Sequence, residues 1–203
     1  MNEISFGDKR ITPSKVVCIG RNYVAHIEEL ANERPTEPVI FIKANSAVSE
    51  KLIAGKDEEL HYEGEISFII ENGAFSGVGF GLDLTKRQTQ SVLKSKGLPW
   101  ERAKAFDASA VFSNFVKFPG DVEALQLELE INGKLIQQGG VEQMIFKPAF
   151  ILSDIQRSFS LEDGDIVMTG TPKGVGSFSS GDEFFGRILH GTEILLEKKW
   201  LAE

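Results

Sequence analysis

Two glutamates separated by one residue lie in the segment HYEGEISFII, residues 61–70. The segment is typical of a β-strand that becomes apolar in its second half, and side chains on a strand alternate between its faces. Glu63 and Glu65 are therefore expected to point the same way, roughly 6–7 Å apart. A third carboxylate, Asp83, ends the apolar segment GVGFGLDL just before a predicted helix. Buried together without a cation, three carboxylates would raise one another's pKa values.

Carboxylate ligands of this kind favour hard divalent cations. They select Mg²⁺, Mn²⁺ or Ca²⁺ over zinc, and no cluster of His and Cys residues in the sequence competes. The alternative is an edge strand on which Glu63 and Glu65 face solvent. The E-x-E spacing by itself favours that alternative, because alternating charges on strands are common.

A second pattern with chemical potential is the pair His26 and Glu29 in GRNYVAHIEEL. Residues three apart on a helix share a face, with Cβ atoms about 5–6 Å apart. A glutamate that contacts one imidazole nitrogen fixes the tautomer and makes the other nitrogen a better base, able to deprotonate water. The alternative is an exposed helix face with an incidental His/Glu pair. His61 and His190 have no such partner in the sequence and are interpreted as structural.

These residues must be positioned by strands and helices, and the sequence contains patterns typical of many short strands and few helices. That combination predicts a β-rich α+β domain of mixed sheets with few short helices. Strands are expected in VVCIG, PVIFIK, GDIVM and TEILLEKKW, and a hairpin in LQLELEINGKLIQQ with its turn at Asn132-Gly133. Asn22 is predicted to cap a helix through YVAHIEELA, and Thr85 one through KRQTQSVLKSK. The apolar spacing of PAFILSDIQRSF predicts a further helix that begins at a proline.

The two glycine-rich stretches do not match nucleotide-binding motifs. GAFSGVGFG lacks the G-x-G-x-x-G spacing, and GTPKGVGS has no following Gly-Lys-Ser/Thr. The second stretch is interpreted either as a plain loop or as a nest of backbone N–H groups that holds a small carboxylate.

Composition narrows the class of protein. The 203 residues are 41% hydrophobic and 26% charged, as in ordinary globular proteins, and the net charge of −8 argues against nucleic-acid binding. The single cysteine, Cys18, excludes an internal disulfide and is expected to be buried in its strand. The length predicts one domain over residues 1–203. No segment has the pattern of a membrane span or a signal peptide, so we expect a cytoplasmic protein.

Several motifs follow one another in a specific order: GRNYVAHIEE, PVIFIK, HYEGE, LDLTKRQTQ, KGLPWERAKAFD, INGKLIQQG and LEDGDIVMTGTPKGVG. In this order they resemble the fumarylacetoacetate hydrolase family over nearly the whole chain. The most similar branch comprises the small acylpyruvase and oxaloacetate decarboxylase enzymes, which lack the family's extra N-terminal domain. The resemblance implies the C-terminal-domain-like fold of that family and, as is common there, a homodimer.

The resemblance also implies roles for the matching residues. Glu63, Glu65 and Asp83 would hold Mg²⁺ or Mn²⁺. His26 and Glu29 would form the catalytic pair that activates water. Lys104 would lie beside the substrate as a third catalytic residue. The positions implied to bind substrate are Arg21, Lys43, Gln90 and Thr171.

The sequence departs from the family pattern at a few positions. Gln88 replaces an aspartate, Lys86 a small residue, and Ala44 a common proline. Gly64 replaces a branched apolar residue between the two glutamates, which predicts a looser strand. The segment 71–81 is shorter than in relatives and lacks a helical insertion. These departures bear on the shape of the substrate site.

The implied activity is hydrolysis of a C–C bond in acylpyruvates such as acetylpyruvate or fumarylpyruvate, which releases pyruvate and a carboxylic acid. The alternative with the same site is decarboxylation, isomerisation or tautomerisation of 2-oxo diacids such as oxaloacetate. A third hypothesis is a non-enzymatic β-rich binding module, and a glycosidase that uses the paired glutamates is a distant fourth. The expected partner is a small 2-oxo acid, without nucleic acid or membrane.

Overall fold

The computed structural model describes residues 1–29, 33–55, 57–117 and 120–203. The strands in these ranges are β1 Ile4–Phe6, β2 Lys9–Ile11, β3 Lys15–Gly20, β4 Val39–Ala44, β5 Val48–Ser49, β6 Leu60–Tyr62, β7 Gly64–Glu71, β8 Ala74–Asp83, β9 Thr85–Lys86, β10 Ala110–Phe112, β11 Leu125–Ile131, β12 Lys134–Gly140, β13 Ile166–Met168, β14 Gly176–Ser177, β15 Glu183–His190 and β16 Glu193–Leu201. The α-helices are α1 Val24–Glu29, α2 Arg87–Ser95, α3 Glu101–Lys104 and α4 Pro148–Ser158. None of the described helices is long and apolar enough to cross a membrane.

A seven-stranded mixed sheet forms the centre of the molecule, in the order β4-β3-β13-β7-β8-β10-β5. Strand β13 runs parallel to β3 and antiparallel to β7, and β7 pairs antiparallel with β8. A four-stranded antiparallel sheet has the order β12-β11-β15-β16, and two smaller sheets are β14-β6-β9 and β1-β2. This architecture confirms the predicted β-rich α+β class with mixed sheets.

The core lies between the two large sheets and beneath α4. Phe68 and Phe80 of the central sheet pack in one cluster with Leu127 of the four-stranded sheet. On another face, Ile151 and Ile155 of α4 pack with β3 and β13. Complete burial of an apolar side chain of this size contributes roughly 1.5–3 kcal/mol. The buried residues of β7 and β8 therefore stabilise the two strands that carry Glu65 and Asp83.

The predicted hairpin turn at Asn132-Gly133 is confirmed, because β11 pairs with β12 and the two residues have φ values of 51° and 75°. A second turn of the same kind joins β7 to β8. There Asn72 and Gly73 have φ values of 53° and 71°. Two residues with positive φ suit the right-handed twist of paired strands, which explains how the short segment 71–81 closes without a helix.

The glycine-rich segment 74–83 is strand β8, and two of its glycines have a packing role. A Cβ on Gly77 would lie 2.6 Å from the Phe6 ring, and one on Gly79 would lie 2.9 Å from the Phe115 ring. Aromatic rings therefore rest directly on the backbone of this strand, and the segment is not a nucleotide-binding loop.

The predicted helix cap at Asn22 is wrong. Helix α1 begins at Val24, and the amide of Asn22 instead donates to the carbonyls of Phe146 and Thr169 at 3.0 and 2.8 Å. Asn22 thus ties β3 to the segment that follows β13. The predicted continuation of this helix through Leu30 and Ala31 lies outside the described residues.

The predicted cap at Thr85 is also wrong, because Thr85 belongs to strand β9 and α2 begins at Arg87. The N-terminus of α2 is capped from a distance by Glu58. Its carboxylate accepts hydrogen bonds from the backbone N–H and the hydroxyl of Thr89, at 2.9 and 2.7 Å. A carboxylate at a helix N-terminus satisfies free N–H groups and complements the helix dipole.

Candidate active site and metal centre

The three candidate metal ligands meet at one end of the central sheet. Glu63 lies in the break between β6 and β7, Glu65 is the second residue of β7, and Asp83 ends β8. Strands β7 and β8 are paired so that Glu65 lies opposite Gly81. One carboxylate oxygen from each of the three residues lies within 4.8 Å of the others, and the side chains are almost fully buried. The single strand predicted over 61–70 is thus interrupted, but its two glutamates do converge, and the solvent-exposed alternative is wrong.

Three cations contact this cluster directly: Lys104, Arg87 and Lys43. Lys104 Nζ donates to Glu63 Oε2 at 2.8 Å, to Asp83 Oδ2 at 2.7 Å and to the Thr85 hydroxyl at 2.6 Å. Arg87 donates to the other oxygen of Glu63 at 2.6 Å. Burial by itself raises the pKa of Glu63, but Lys104 and Arg87 outweigh burial and lower it. Burial by itself lowers the pKa of Lys104, but the negative charges of Asp83 and Glu63 outweigh burial and raise it.

Glu65 has no such cationic contact among the described residues. Its Oε2 accepts a hydrogen bond from the backbone N–H of Gly170 at 2.7 Å. Burial, followed by repulsion from Asp83 and Glu63, raises the pKa of Glu65 well above its usual range. Asp83, by contrast, is charge-compensated, because its Oδ1 forms an ion pair with Lys43 Nζ at 2.7 Å and its Oδ2 accepts from Lys104.

These features fit a divalent cation. The donor set consists of three carboxylates and no nitrogen or sulfur, which is the chemistry that Mg²⁺ and Mn²⁺ prefer. The burial of Glu65 and its repulsion by Asp83 and Glu63 are the electrostatic penalty that such an ion removes. The side chains that would hold it are Glu63, Glu65 and Asp83.

Lys43 lies behind the carboxylates. It is completely buried, and its ammonium group donates to the carbonyls of Ser109 at 2.9 Å and of Lys104. These contacts, together with the ion pair to Asp83, link β4 to the loop after α3. Lys43 is not among the residues that line the cleft beside the cluster, and the substrate contact expected for it stays a prediction.

His26 and Glu29 form the contact predicted from their spacing. His26 Nδ1 lies 3.2 Å from Glu29 Oε2, and the imidazole is almost fully buried. The other carboxylate oxygen of Glu29 accepts from the backbone N–H of Gly174 at 2.9 Å. This arrangement assigns the proton to Nδ1 and leaves Nε2 as the basic nitrogen. The glycine-rich loop after β13 is therefore a carboxylate-binding loop whose N–H groups bind the chain's own Glu65 and Glu29.

His26 and Glu63, one of the three clustered carboxylates, line a narrow cleft of about 40 Å³. The residues that line it are Gly20, Arg21, His26, Phe41, Glu63, Arg87, Gln90, Lys94, Trp100 and Lys104. Of the predicted substrate contacts, Arg21 and Gln90 lie here, and Gln90 Oε1 accepts from Arg87 at 2.7 Å. Thr171 is buried outside the lining, with its hydroxyl accepting from Gln137 at 2.9 Å.

Sequence reasoning missed several residues of this site. Arg87 could have been found, since it is the basic residue of the T-x-R motif that follows Asp83. Gln137, by contrast, lies 73 residues from Gly64, to which it binds. Its sequence context is an ordinary hairpin strand, and only the pairing of the sheets reveals the contact.

The geometry can be compared with that of known proteins. The model of the fumarylacetoacetate (FAA) hydrolase C-terminal family matches residues 15–198. The chain belongs to the fumarylacetoacetate hydrolase family. It is 40% identical over 188 residues to oxaloacetate tautomerase YcgM of Escherichia coli, a match that covers 84% of this chain and 86% of that protein. It is 39% identical over 194 residues to a mitochondrial oxaloacetate tautomerase of Bos taurus, with 87% of each chain covered.

Solved structures of the family agree. Fumarylpyruvate hydrolase from Pseudomonas aeruginosa, in complex with Mn²⁺ and pyruvate, superposes with a TM-score of 0.87 at 30% identity. That match covers 100% of this chain and 96% of the hydrolase. The resemblance inferred from the ordered motifs is thus confirmed. The relatives named here support the predicted 2-oxo diacid alternative better than the acylpyruvate hydrolase that the motifs first suggested.

Proposed function

We propose that this protein is a divalent-metal-dependent tautomerase that interconverts the keto and enol forms of oxaloacetate or a closely similar 2-oxo diacid. The observation that carries the proposal is a histidine base, oriented by Glu29, that opens onto the same cleft as the Glu63–Lys104 ion pair. Similarity to proteins named oxaloacetate tautomerases, over more than four fifths of the chain, supports this choice of reaction.

Glu63, Glu65 and Asp83 would hold Mg²⁺ or Mn²⁺. When bound, such an ion supplies Lewis acidity that stabilises negative charge on the oxygen of a 2-oxo acid. All three carboxylates are buried and therefore shielded from bulk water. Exclusion of water strengthens electrostatic interactions within the site.

The chain's own residues account for the movement of the proton. His26 Nε2 takes the proton from C3 of the keto form, and the electron pair of that C–H bond becomes the C2–C3 double bond. The C2 oxygen gains the negative charge and then takes this proton from the His26 imidazolium, which gives the enol and restores the neutral base. Glu29 stabilises the imidazolium through its contact with Nδ1. Lys104 places positive charge beside the developing enolate.

The cleft is suited to a substrate with two carboxylates. Although the protein has a net charge of −8, four basic side chains line this cleft: Arg21, Arg87, Lys94 and Lys104. Clustered positive charge in a cleft attracts anions and raises their local concentration. A 2-oxo diacid matches this charge better than a neutral or monoanionic compound.

Hydrolysis of an acylpyruvate is the second candidate. It is supported by the similarity to fumarylpyruvate hydrolase from Pseudomonas aeruginosa. In that reaction His26 would deprotonate water, which attacks the distal carbonyl, and the C–C bond would break to release pyruvate and a carboxylic acid. Both reactions pass through an enolate of a 2-oxo acid, so the same cleft suits either one.

Keto–enol interconversion of oxaloacetate, followed by the ultraviolet absorbance of the enol, tests the proposal. The full-length protein is assayed with Mg²⁺, with Mn²⁺ and with a chelator, while pyruvate and CO₂ are measured separately. We expect metal-dependent interconversion that His26→Ala reduces by roughly 10²–10⁴-fold. His190→Ala is the matched control, because His190 contacts the Asp121 carbonyl and does not line the cleft. Pyruvate release from acetylpyruvate without oxaloacetate interconversion would establish the hydrolase instead.

We further propose that residues 1–203 form one catalytic domain that acts as a homodimer in the cytoplasm, as the sequence predicts. Light scattering after size-exclusion chromatography tests the oligomeric state. The relatives include a bacterial and a mitochondrial protein, so the compartment needs direct localisation of the tagged protein in its own cells.

A further inference from the structure

Gln137 of strand β12 is a fully buried amide whose contacts all point toward the site. Its Oε1 accepts a hydrogen bond from the backbone N–H of Gly64 at 2.9 Å. Its Nε2 donates to the hydroxyl of Thr171 and to the carbonyl of Pro172, both at 2.9 Å. Three hydrogen bonds hold this side chain in one position, and a buried amide with all its contacts made strongly fixes its neighbours.

The absence of a side chain at position 64 is explained by this contact. A Cβ on Gly64 would lie 2.9 Å from Gln137 Oε1 and 3.1 Å from Phe80 Cζ. Such distances are too short for unstrained packing, so a larger residue here requires Gln137 to move. The amide of Gln137 thus occupies the space that a side chain at position 64 would fill, and Gly64 itself pairs with Leu82 of β8.

Both ends of the Gln137 amide reach residues adjacent to site carboxylates. Gly64 lies between Glu63 and Glu65. On the other side, Thr171 and Pro172 belong to the loop whose N–H groups bind Glu65 and Glu29. The side chain thus spans from the backbone between two candidate metal ligands to the loop that holds one of those ligands and the partner of His26.

We propose that Gln137 is a positioning residue that sets the relative placement of Glu63 and Glu65 and holds the 169–174 loop against them. Without it, the N–H of Gly64 is buried without an acceptor and the loop loses two hydrogen bonds. The inference rests on the metal site of the proposed function, but it does not depend on which 2-oxo acid reacts there.

The test is the dissociation constant of Mn²⁺ for the full-length, metal-free protein, measured by titration calorimetry. Gln137→Met keeps the length of the side chain and removes its three hydrogen bonds. We expect Mn²⁺ to bind at least 10-fold more weakly, because loss of a group that orients metal ligands typically changes affinity 10–100-fold. Gln138→Met is the matched control. Gln138 is exposed on the same strand and bonds to Glu128 at 3.2 Å, so its replacement should change affinity less than twofold.

A second variant covers the case in which Gln137→Met fails to fold. Gly64→Ala keeps the glutamine but displaces its Oε1, and it should also weaken Mn²⁺ binding. Because both substitutions act on one contact, the double variant should weaken binding by less than the product of the two separate factors. If the double variant instead weakens binding by the full product of the two factors, the proposed coupling between Gln137 and Gly64 is overturned.

Urea unfolding of the metal-free variants distinguishes positioning from general support of the fold. Lower stability with an unchanged Mn²⁺ dissociation constant would overturn the proposal, as would a wild-type protein that does not bind Mn²⁺. A wild-type protein that binds Mn²⁺ but does not interconvert oxaloacetate, with binding weakened in Gln137→Met, would support the role of Gln137 and reject the proposed function.

Discussion

Glu29 accepts a hydrogen bond of 2.9 Å from the backbone N–H of Gly174, which lies 145 residues later in the chain. Through its other oxygen Glu29 contacts His26. The carboxylate is thus held from both sides, by the short helix that carries the base and by the loop after β13. This loop also binds Glu65 through Gly170. One loop therefore relates the position of the base to the position of the candidate metal centre.

Glu29→Gln should lower the rate of the proposed interconversion by roughly 10²-fold or more, because a neutral amide stabilises the imidazolium of His26 less well than a carboxylate. The metal dissociation constant should not change, since Glu29 is not one of the clustered carboxylates. Steady-state kinetics and a Mn²⁺ titration measure the two effects. Glu28→Gln, at the neighbouring exposed position, is the control. A rate close to that of the wild type would show that Glu29 does not support the base.

Gly174→Ala should both destabilise the protein and lower its activity. Gly174 has a φ of +100°, and a Cβ there would lie 2.4 Å from the carbonyl oxygen of Ile136. The loop must move, so Glu29 loses its N–H donor. Gly181→Ala is the control, because Gly181 has a φ of +91° but nothing within 4 Å of its Cβ position. In the control, we expect the free energy of unfolding to fall only by the cost of a positive φ at alanine, about 1–2 kcal/mol. Urea unfolding measures this loss, and the catalytic rate of the control should not change. Equal losses in both variants would exclude a specific role of the loop.

The sequence predicted the parts of this site that depend on local spacing. The two-residue spacing of Glu63 and Glu65 predicted that their carboxylates converge, although Glu63 lies between two strands. His26 and Glu29 meet because residues three apart share one helix face. The end of β8 was marked by an apolar segment followed by Asp83. Ordered motifs then identified the family, since their combination is much more specific than any single one.

The remaining features depend on contacts between distant segments. Asn22 and Thr85 have the chemistry of helix caps, but tertiary contacts to Thr169 and Lys104 use their side chains instead. Such side chains bond wherever the fold brings a partner, and local pattern does not reveal that partner. The position of Lys43 is likewise not visible in its local sequence. Its ion pair with Asp83 follows from the order of the strands, which brings β4 and the end of β8 into one sheet.

Glu65→Gln should separate the electrostatic cost of the cluster from its capacity to bind metal. In the metal-free protein the substitution removes one of three mutually repelling carboxylates, so the Tm should stay the same or rise. The amide oxygen of the introduced glutamine can still accept from the N–H of Gly170. In the wild type, a metal concentration about 100 times Kd should add about 2.7 kcal/mol of stability, and the variant should gain much less. Thermal unfolding with and without Mn²⁺ measures both. An equal gain in the two proteins would place the ion elsewhere.

The last prediction concerns pH and a carboxylate outside the cleft. Asp165 is buried before β13, and it accepts hydrogen bonds from the N–H and hydroxyl of Ser14 and from the N–H of Lys15 and Glu162. The Lys15 ammonium also donates to Asp165 Oδ2 at 2.5 Å. Burial by itself raises the pKa of Asp165, but the hydrogen bonds from the Lys15 ammonium and the Ser14 hydroxyl outweigh burial and lower it. The ionised form therefore stabilises the folded state above the pKa of an unfolded aspartate, about 3.9.

Asp165→Asn should reduce the free energy of unfolding by about 2–3 kcal/mol at pH 7. The amide carries no charge, and its NH₂ group cannot accept the hydrogen bonds that one carboxylate oxygen accepts. The contribution of the wild-type carboxylate disappears as the pH falls through the lowered pKa of the folded state, so the stabilities of the two proteins should converge as the pH falls below the pKa of an unfolded aspartate. Urea unfolding between about pH 7 and pH 2.5 measures this difference, with the substitution Asp8→Asn at an exposed position as the control. A difference that stays constant over this range would show that the loss arises from packing and not from the charge of Asp165.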